Sequence, residues 1–324
     1  MTENNHQLKG IDSQSVEIIH DLIYACPNGQ PLLADLYLPK NRKESIPVII
    51  WLHGGGWRFG SRKLGPDFSE YFTKRGYAMV SIEYRLSGEA IFPAPIYDVK
   101  TAVRWVKKIA KQYGLNPHKI GLWGSSAGGH LAALVAATGS HQLIEDNGQY
   151  EEMSSEVHAV AIGYGPVDFL KIDEQREVAG IVEDDPESLQ LPEGKKSTDP
   201  DSFESLFLGA PIQMCADLVK EANPITYVQP GMPPFFIMHG LSDIAIPSQQ
   251  SELLYQALAE KGNNVSLYLI NGLGHGFLNR TNLDKAGPHL VNYRASLDSE
   301  EVAVGKSLIL VFDTIEEFFR KNLK

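Results

Sequence analysis

The sequence predicts an α/β fold: a mostly parallel central sheet with helices on both faces and a small acidic cap-like insertion. Three observations lead there. Short uninterrupted apolar runs recur along the chain, the pattern of strands covered on both faces. Stretches with apolar residues at helical spacing lie between them, and this alternation calls for a parallel sheet. The runs end in Gly- or His-containing turns, so polar groups collect at one edge of the sheet. The 324 residues are 43% hydrophobic and 21% charged, a globular composition that excludes wholesale disorder.

Taken in order, residues 16–25 and 31–38 read as a β-hairpin around Pro27-Asn28-Gly29, an antiparallel edge within an N-terminal region of residues 1–45. Strands follow at 47–53 (PVIIWLH), 77–84 (YAMVSIEY), 119–125 (KIGLWGS), 159–164 (AVAIGY), 234–240 (PFFIMHG) and 265–270 (VSLYLI). Over residues 98–113, Val99, Val103, Val106, Ala110 and Tyr113 make an apolar stripe, and Lys100, Arg104, Lys107, Lys108 and Lys111 read as a solvated face. A second helix should begin at Ser126 and a third cover 248–261. A last one near 305–322 should carry Leu308, Val311, Phe312, Ile315 and Phe319 on one stripe.

Two stretches break the rhythm. Residues 168–204 hold twelve acidic and four basic side chains, which reads as an exposed insertion rather than core. It forms part of a cap-like segment, 168–230, at the carboxyl edge of the sheet, where insertions cover sites. Residues 279–301, within a second insertion at 278–303, are polar and show no clear period. With no internal repeat, the chain is expected to form one domain over 1–324.

The charge balance, 29 Lys+Arg against 40 Asp+Glu for a net charge of −11, argues against nucleic acid or anionic lipid as partners. Cys26 and Cys215 are too few for a disulfide scaffold or a Cys-rich metal site. No apolar run approaches the roughly 18 residues of a membrane span. The opening MTENNHQLKG lacks an apolar signal region, so a cytoplasmic location is expected.

The sharpest chemical signal is Gly124-Ser125-Ser126-Ala127-Gly128, between an apolar strand and a helix-like stretch. A serine on so tight a strand-to-helix turn is strained and exposed above the sheet. Ser126 has a glycine two residues away on each side and Ser125 does not, so Ser126 is the nucleophile candidate. His53-Gly54-Gly55-Gly56-Trp57 ends an earlier strand, and its backbone amides can stabilise a developing oxyanion, each donor by ~2.7–4 kcal/mol. Such a serine needs a base, and the base an orienting carboxylate. Asp243 lies in the loop after strand 234–240 and His275 in the glycine-rich loop after strand 265–270. The order Ser126, Asp243, His275 suits successive strands that each deliver one group at one edge. Asp168, in the turn after 159–164, is the rival acid. His239 and His130 read as satisfied structural histidines, and His53 as a brace for the glycine loop. Trp57, Phe59, Tyr84, Tyr164 and Phe277 flank these motifs, either lining a pocket or packing the core. Trp57, Tyr164 and Phe277 are the substrate-binding candidates. Neither an H-E-x-x-H motif nor a C-x-x-C pair occurs, so no metal or organic cofactor is expected.

From Ala34-Asp35-Leu36-Tyr37 to His275-Gly276-Phe277 the chain resembles the α/β-hydrolase superfamily. The motifs are HGGGW at His53, EYRL at Glu83, FPAPIYD at Phe92, GSSAGG at Gly124, HGLSDIAIP at His239 and GHGF at Gly274. The chain is most similar to hormone-sensitive-lipase-like esterases and to their smaller acetyl-xylan and feruloyl esterase relatives of the BD-FAE type. The resemblance implies Ser126, Asp243 and His275 as a catalytic triad and the N–H groups of Gly55, Gly56 and Ala127 as the oxyanion hole. It implies a serine carboxylesterase for short-chain acyl or aryl and carbohydrate esters, with a small-molecule ester as partner and a homo-oligomer as an open option. An aryl-formamidase-like amidase would use the same groups, and a non-catalytic receptor on this fold is the remaining alternative.

Overall fold

The computed structural model describes residues 15–42, 45–139, 149–179, 196–297 and 301–324. The first 14 residues and the middle of the acidic insertion, 180–195, lie outside them. In chain order the elements are β1 (Val16–Ala25), β2 (Leu32–Pro39), β3 (Ile46–Leu52), α1 (Phe68–Tyr71), β4 (Ala78–Ile82), α2 (Ala94–Tyr113), β5 (Leu115–Ser125), α3 (Ala127–Ala137) and β6 (Ala159–Gly163). Then come α4 (Ile172–Ala179), α5 (Phe203–Leu208), α6 (Ala216–Ala222), β7 (Phe235–Gly240), α7 (Gln249–Glu260), β8 (Val265–Ile270), β9 (His289–Leu297), β10 (Glu301–Ile309) and α8 (Val311–Leu323).

All ten strands form one sheet in the order β1-β2-β4-β3-β5-β6-β7-β8-β9-β10. From β4 to β8 neighbours run parallel, and an antiparallel pair flanks them at each end. Each apolar run read from the sequence falls on one of the six parallel strands. Alternation along β3 shows why those runs are continuous. Val48, Ile50 and Leu52 enter one core with residues of α2, α3 and α7, while Ile49 and Trp51 enter the other with residues of α1 and α8. With helices on both faces, both sides of such a strand are covered, so apolar residues run on without alternation. This is the α/β-hydrolase fold.

Four expectations are corrected. The segment read as irregular, 279–301, holds β9, which pairs antiparallel with β8 and leads into β10. The last helix therefore starts at Val311, and Leu308 sits on β10, 65% exposed, outside the helical stripe. The polar side of α2 is not uniformly solvated. Lys100 and Arg104 are buried, with Lys100 Nζ donating to the Thr138 carbonyl at 2.8 Å, because α3 packs against that side. The acidic segment also contributes to the interior, since Phe169, Ile172 and Glu204 are all buried.

The N-terminal hairpin is tied down electrostatically. Asp35 on β2 is fully buried, accepts from Arg62 Nε at 2.9 Å and Lys63 Nζ at 2.6 Å, and lies 3.1 Å from His20 Nδ1. Arg62 also pairs with Asp21 and Glu83. Burial pushes the Asp35 carboxyl up, but Lys63, Arg62, the Asp21 amide and His20 outweigh it and hold it well below the usual carboxylate range. Half-exposed Lys63 and His20 are screened by solvent, so the buried Arg62 partnership dominates. Asp35→Asn is expected to cost about 2 kcal/mol of stability at neutral pH. A carboxyl depressed on folding contributes above its unfolded pKa and loses that contribution as pH falls through its folded pKa. The gap between wild type and Asp35→Asn in urea midpoints should therefore narrow in acid; a gap that widens there would contradict the network.

Candidate active site

Three loops at the carboxyl edge of β5, β7 and β8 meet. Ser126 joins β5 to α3 at φ 53° and ψ −122°, a conformation that a non-glycine residue occupies at a cost and that active-site turns hold by surrounding structure. The surrounding structure is tight. A Cβ on Gly124 would meet the Gly128 carbonyl oxygen at 2.2 Å, and one on Gly128 the Leu52 oxygen at 2.1 Å. The Ser126 amide donates to the Gly163 carbonyl at 2.8 Å, fixing the turn against β6.

His275, in the loop after β8, spans the other two groups. Its Nε2 lies 2.8 Å from Ser126 Oγ and its Nδ1 lies 2.7 Å from Asp243 Oδ2. An ionised carboxylate only accepts, so Nδ1 carries the proton and Nε2 accepts from the serine hydroxyl. Asp243 is held from behind. Its Oδ1 accepts from the Ala245 and Ile246 amides, both at 2.9 Å, and its Oδ2 lies 3.2 Å from His239 Nε2. His239 Nδ1 faces Ser251 Oγ at 2.7 Å, and Nε2 also faces the Ile246 carbonyl at 2.8 Å, so Nε2 is the protonated nitrogen. Burial alone raises the Asp243 carboxyl. The charge and hydrogen bonds of His275 and His239 outweigh burial and hold it well below the usual carboxylate range.

His53 follows β3 and opens the glycine loop. Its Nδ1 donates to the Gly54 carbonyl at 2.7 Å, its ring stacks on Tyr84 at 4.4 Å, and Tyr84 Oη donates to the His53 carbonyl at 2.8 Å. Burial lowers the His53 pKa to about 4, only partly offset by the Gly54 bond, so the ring is neutral at pH 7. Gly55 at φ 117° turns back so closely that a Cβ there would lie 2.3 Å from the Phe59 oxygen. Ala127 is the first residue of α3, so its N–H has no partner within the helix.

Ser126 and His275 open onto a cavity of about 30 Å³. Gly56, Trp57, Ala127, Pro166, Ala245 and Ile246 line it, and Arg176, Phe203 and Glu204 come from the acidic insertion. An alcohol hydrogen-bonded to an imidazole, itself held by a carboxylate, has the geometry for proton removal during attack on a carbonyl.

A family model described as BD-FAE matches residues 34–258. The chain belongs to the BD-FAE family. Esterase LipQ of Mycobacterium tuberculosis is 31% identical over 241 residues, 73% of this chain and 52% of LipQ. A probable isoprenylcysteine alpha-carbonyl methylesterase of Arabidopsis thaliana is 26% identical over 282 residues, 85% of this chain and 55% of the plant protein. The chain thus spans about half the length of these curated relatives. Among solved structures, a truncated carbohydrate esterase from gut microbiota superposes with a TM-score of 0.68 at 28% identity, covering 83% of this chain and 92% of that one. The esterase Est2 of Thermogutta terrifontis gives 0.61 at 26% identity, covering 81% and 84%.

In this BD-FAE chain the structure brings Ser126, Asp243 and His275 together and keeps Asp168 apart. The Asp168 carboxylate lies 3.2 Å from Lys171 Nζ, and its amide donates to Gln250 Oε1. Of the substrate-binding candidates, Trp57 lines the cavity. Tyr164 and Phe277 are corrected: both are fully buried behind the histidine and are not among the cavity-lining residues. Tyr164 presents its ring to the His275 imidazole at 4.7 Å and accepts the Leu278 amide at 3.2 Å, while Phe277 packs on Tyr164 at 4.9 Å. Sequence reasoning missed the hold of His239 on Asp243, although its place three residues before Ser242-Asp243 was a usable signal. It also missed Arg176 and Glu204, hidden among many other charges. Among the described residues no cluster suits a metal ion, and no helix is long and apolar enough to cross a membrane.

Proposed function

We propose that this chain is a serine carboxylesterase that hydrolyses short-chain acyl or aryl and carbohydrate esters through an acyl-enzyme. The continuous line of hydrogen bonds Ser126 Oγ–His275 Nε2, 2.8 Å, and His275 Nδ1–Asp243 Oδ2, 2.7 Å, at the mouth of a cavity carries the reading. Ser126 Oγ bonds to the ester carbonyl carbon while its proton passes to His275 Nε2. The amides of Gly55, Gly56 and Ala127 receive the oxyanion. The bond to the alcohol then breaks, and Nε2 returns the proton to the leaving oxygen. Water attacks the acyl-enzyme, Nε2 takes its proton, and collapse releases the acid and restores Ser126. Asp243 keeps the imidazole in the required tautomer and stabilises the imidazolium.

Support for the substrate range comes from the small cavity, from the family, and from the carbohydrate esterase among the structural neighbours. The segment 168–230 acts as a cap in this reading, since α4 and α5 supply part of the cavity wall. Incubation with a fluorophosphonate should add one phosphonyl group, located at Ser126 by peptide mass, with parallel loss of p-nitrophenyl acetate hydrolysis. Hydrolysis that survives complete labelling of Ser126, or a label on Ser125, would refute the assignment.

A further inference from the structure

Glu204 is an expensive residue to keep where it is. It stands on α5 beside the cavity-lining Phe203, is 5% exposed, and lines the same cavity as Ser126 and His275. Ser197 Oγ, 3.1 Å from Oε1, is its one side-chain hydrogen-bond partner among the described residues. A carboxyl so placed is destabilising relative to an apolar side chain of similar size. Burial accordingly raises its pKa, against the smaller opposing effects of its own amide, Arg176 and Ser197.

Arg176 faces the same cavity from α4. Its Nε donates to the Ala245 carbonyl at 2.8 Å and its ion pair is with Asp173 at 3.3 Å. No ion pair within 4.0 Å joins it to Glu204. The fold therefore places an acceptor and a donor, not paired with each other, in the lining of the cavity that Ser126 also lines. An anionic group entering there would face the Glu204 carboxyl. A neutral hydroxyl can donate to one wall and accept from the other.

We propose that Glu204 and Arg176 bind a hydroxyl group carried by the ester next to the scissile bond, so that Glu204 sets the preference for hydroxylated over plain esters. This rests on the reading of Ser126 as nucleophile. The hydroxyl can sit on the acyl or the alcohol side, and three small esters separate the two. Ethyl acetate has none, ethyl glycolate has one on the acyl side, and 2-hydroxyethyl acetate has one on the alcohol side.

Acid release at constant pH gives kcat/KM for each ester with wild type, Glu204→Leu and Glu204→Gln. The ratio of one hydroxylated ester to ethyl acetate is expected to fall about tenfold in Glu204→Leu, mostly through KM, and less in the near-isosteric Glu204→Gln. Comparing each ratio between proteins removes the intrinsic reactivity of the esters. Glu204→Leu should also raise the thermal midpoint, since it relieves a buried carboxyl; if it fails to fold, Glu204→Gln alone must show the shift in ratio. Ratios that move less than about twofold in the folded variants, with wild type still taking a fluorophosphonate at Ser126, overturn the hydroxyl site alone. A wild type that takes no label overturns the reading beneath it as well.

Discussion

Ser126→Ala is expected to lower kcat/KM for p-nitrophenyl butyrate by about 10⁵-fold or more, leaving a slow background. The residue lost is the one that would form the covalent bond, and no neighbour can replace it. Ser125, just before it in the chain, is fully buried, with an Oγ that meets no partner among the described residues. The background survives because the glycine-loop amides and the cavity remain. The substitution removes one oxygen from a turn held by the Ser126 amide and by the packing of Gly124 on Gly128, so cooperative unfolding should persist. A folded variant that loses less than about tenfold would show that the ester is cleaved elsewhere.

Asp243→Asn should lower kcat by about 10⁴-fold, whereas Asp168→Asn should change it by no more than a few-fold. An asparagine can turn an N–H toward His275 Nδ1, which then becomes the acceptor and leaves Nε2 protonated and unable to take the serine proton. The Ala245 and Ile246 amides favour this outcome, because both donate to Oδ1 and so hold the asparagine oxygen there, leaving its NH2 at the Oδ2 position beside His275. Asp168 has no such link, since its carboxylate is turned to Lys171. Steady-state kinetics on the two variants decide the matter; the reverse ranking would transfer the acid role to Asp168.

What could be read from the chain follows from how local each signal is. Ser126, Asp243 and His275 each occupy a short loop directly after a strand with an unmistakable apolar run, and parallel strands deliver such loops to a common edge. The glycine pair around Ser126 is likewise local, a matter of what fits between Gly128 and Leu52. The hairpin β9–β10 was less visible because polar residues break its apolar ones without a sustained period: Asn292 and Arg294 on one strand, adjacent Lys306 and Ser307 on the other. Leu308 then read as the first turn of a helix. Lys100 and Arg104 were misread for a different reason. Whether a long basic side chain meets water or a carbonyl such as that of Thr138 depends on what packs over it, which no helical period reports. The same holds for Glu204, one acidic residue among many until α5 buries it. Tyr164 and Phe277 sit beside the right residues in sequence, but the Tyr164 ring packs against the His275 imidazole and the Phe277 ring against Tyr164, both fully buried.

The hydroxyl at 126 and the imidazole at 275 are separated by 149 positions of chain and by the strands β6 and β7 that must be laid between them. A ribosome making this polypeptide exposes the serine long before it has polymerised the ring that would activate it. On the proposed mechanism, incomplete copies ending ahead of β8 would be inert toward esters, and reactivity would switch on only after synthesis had passed that strand.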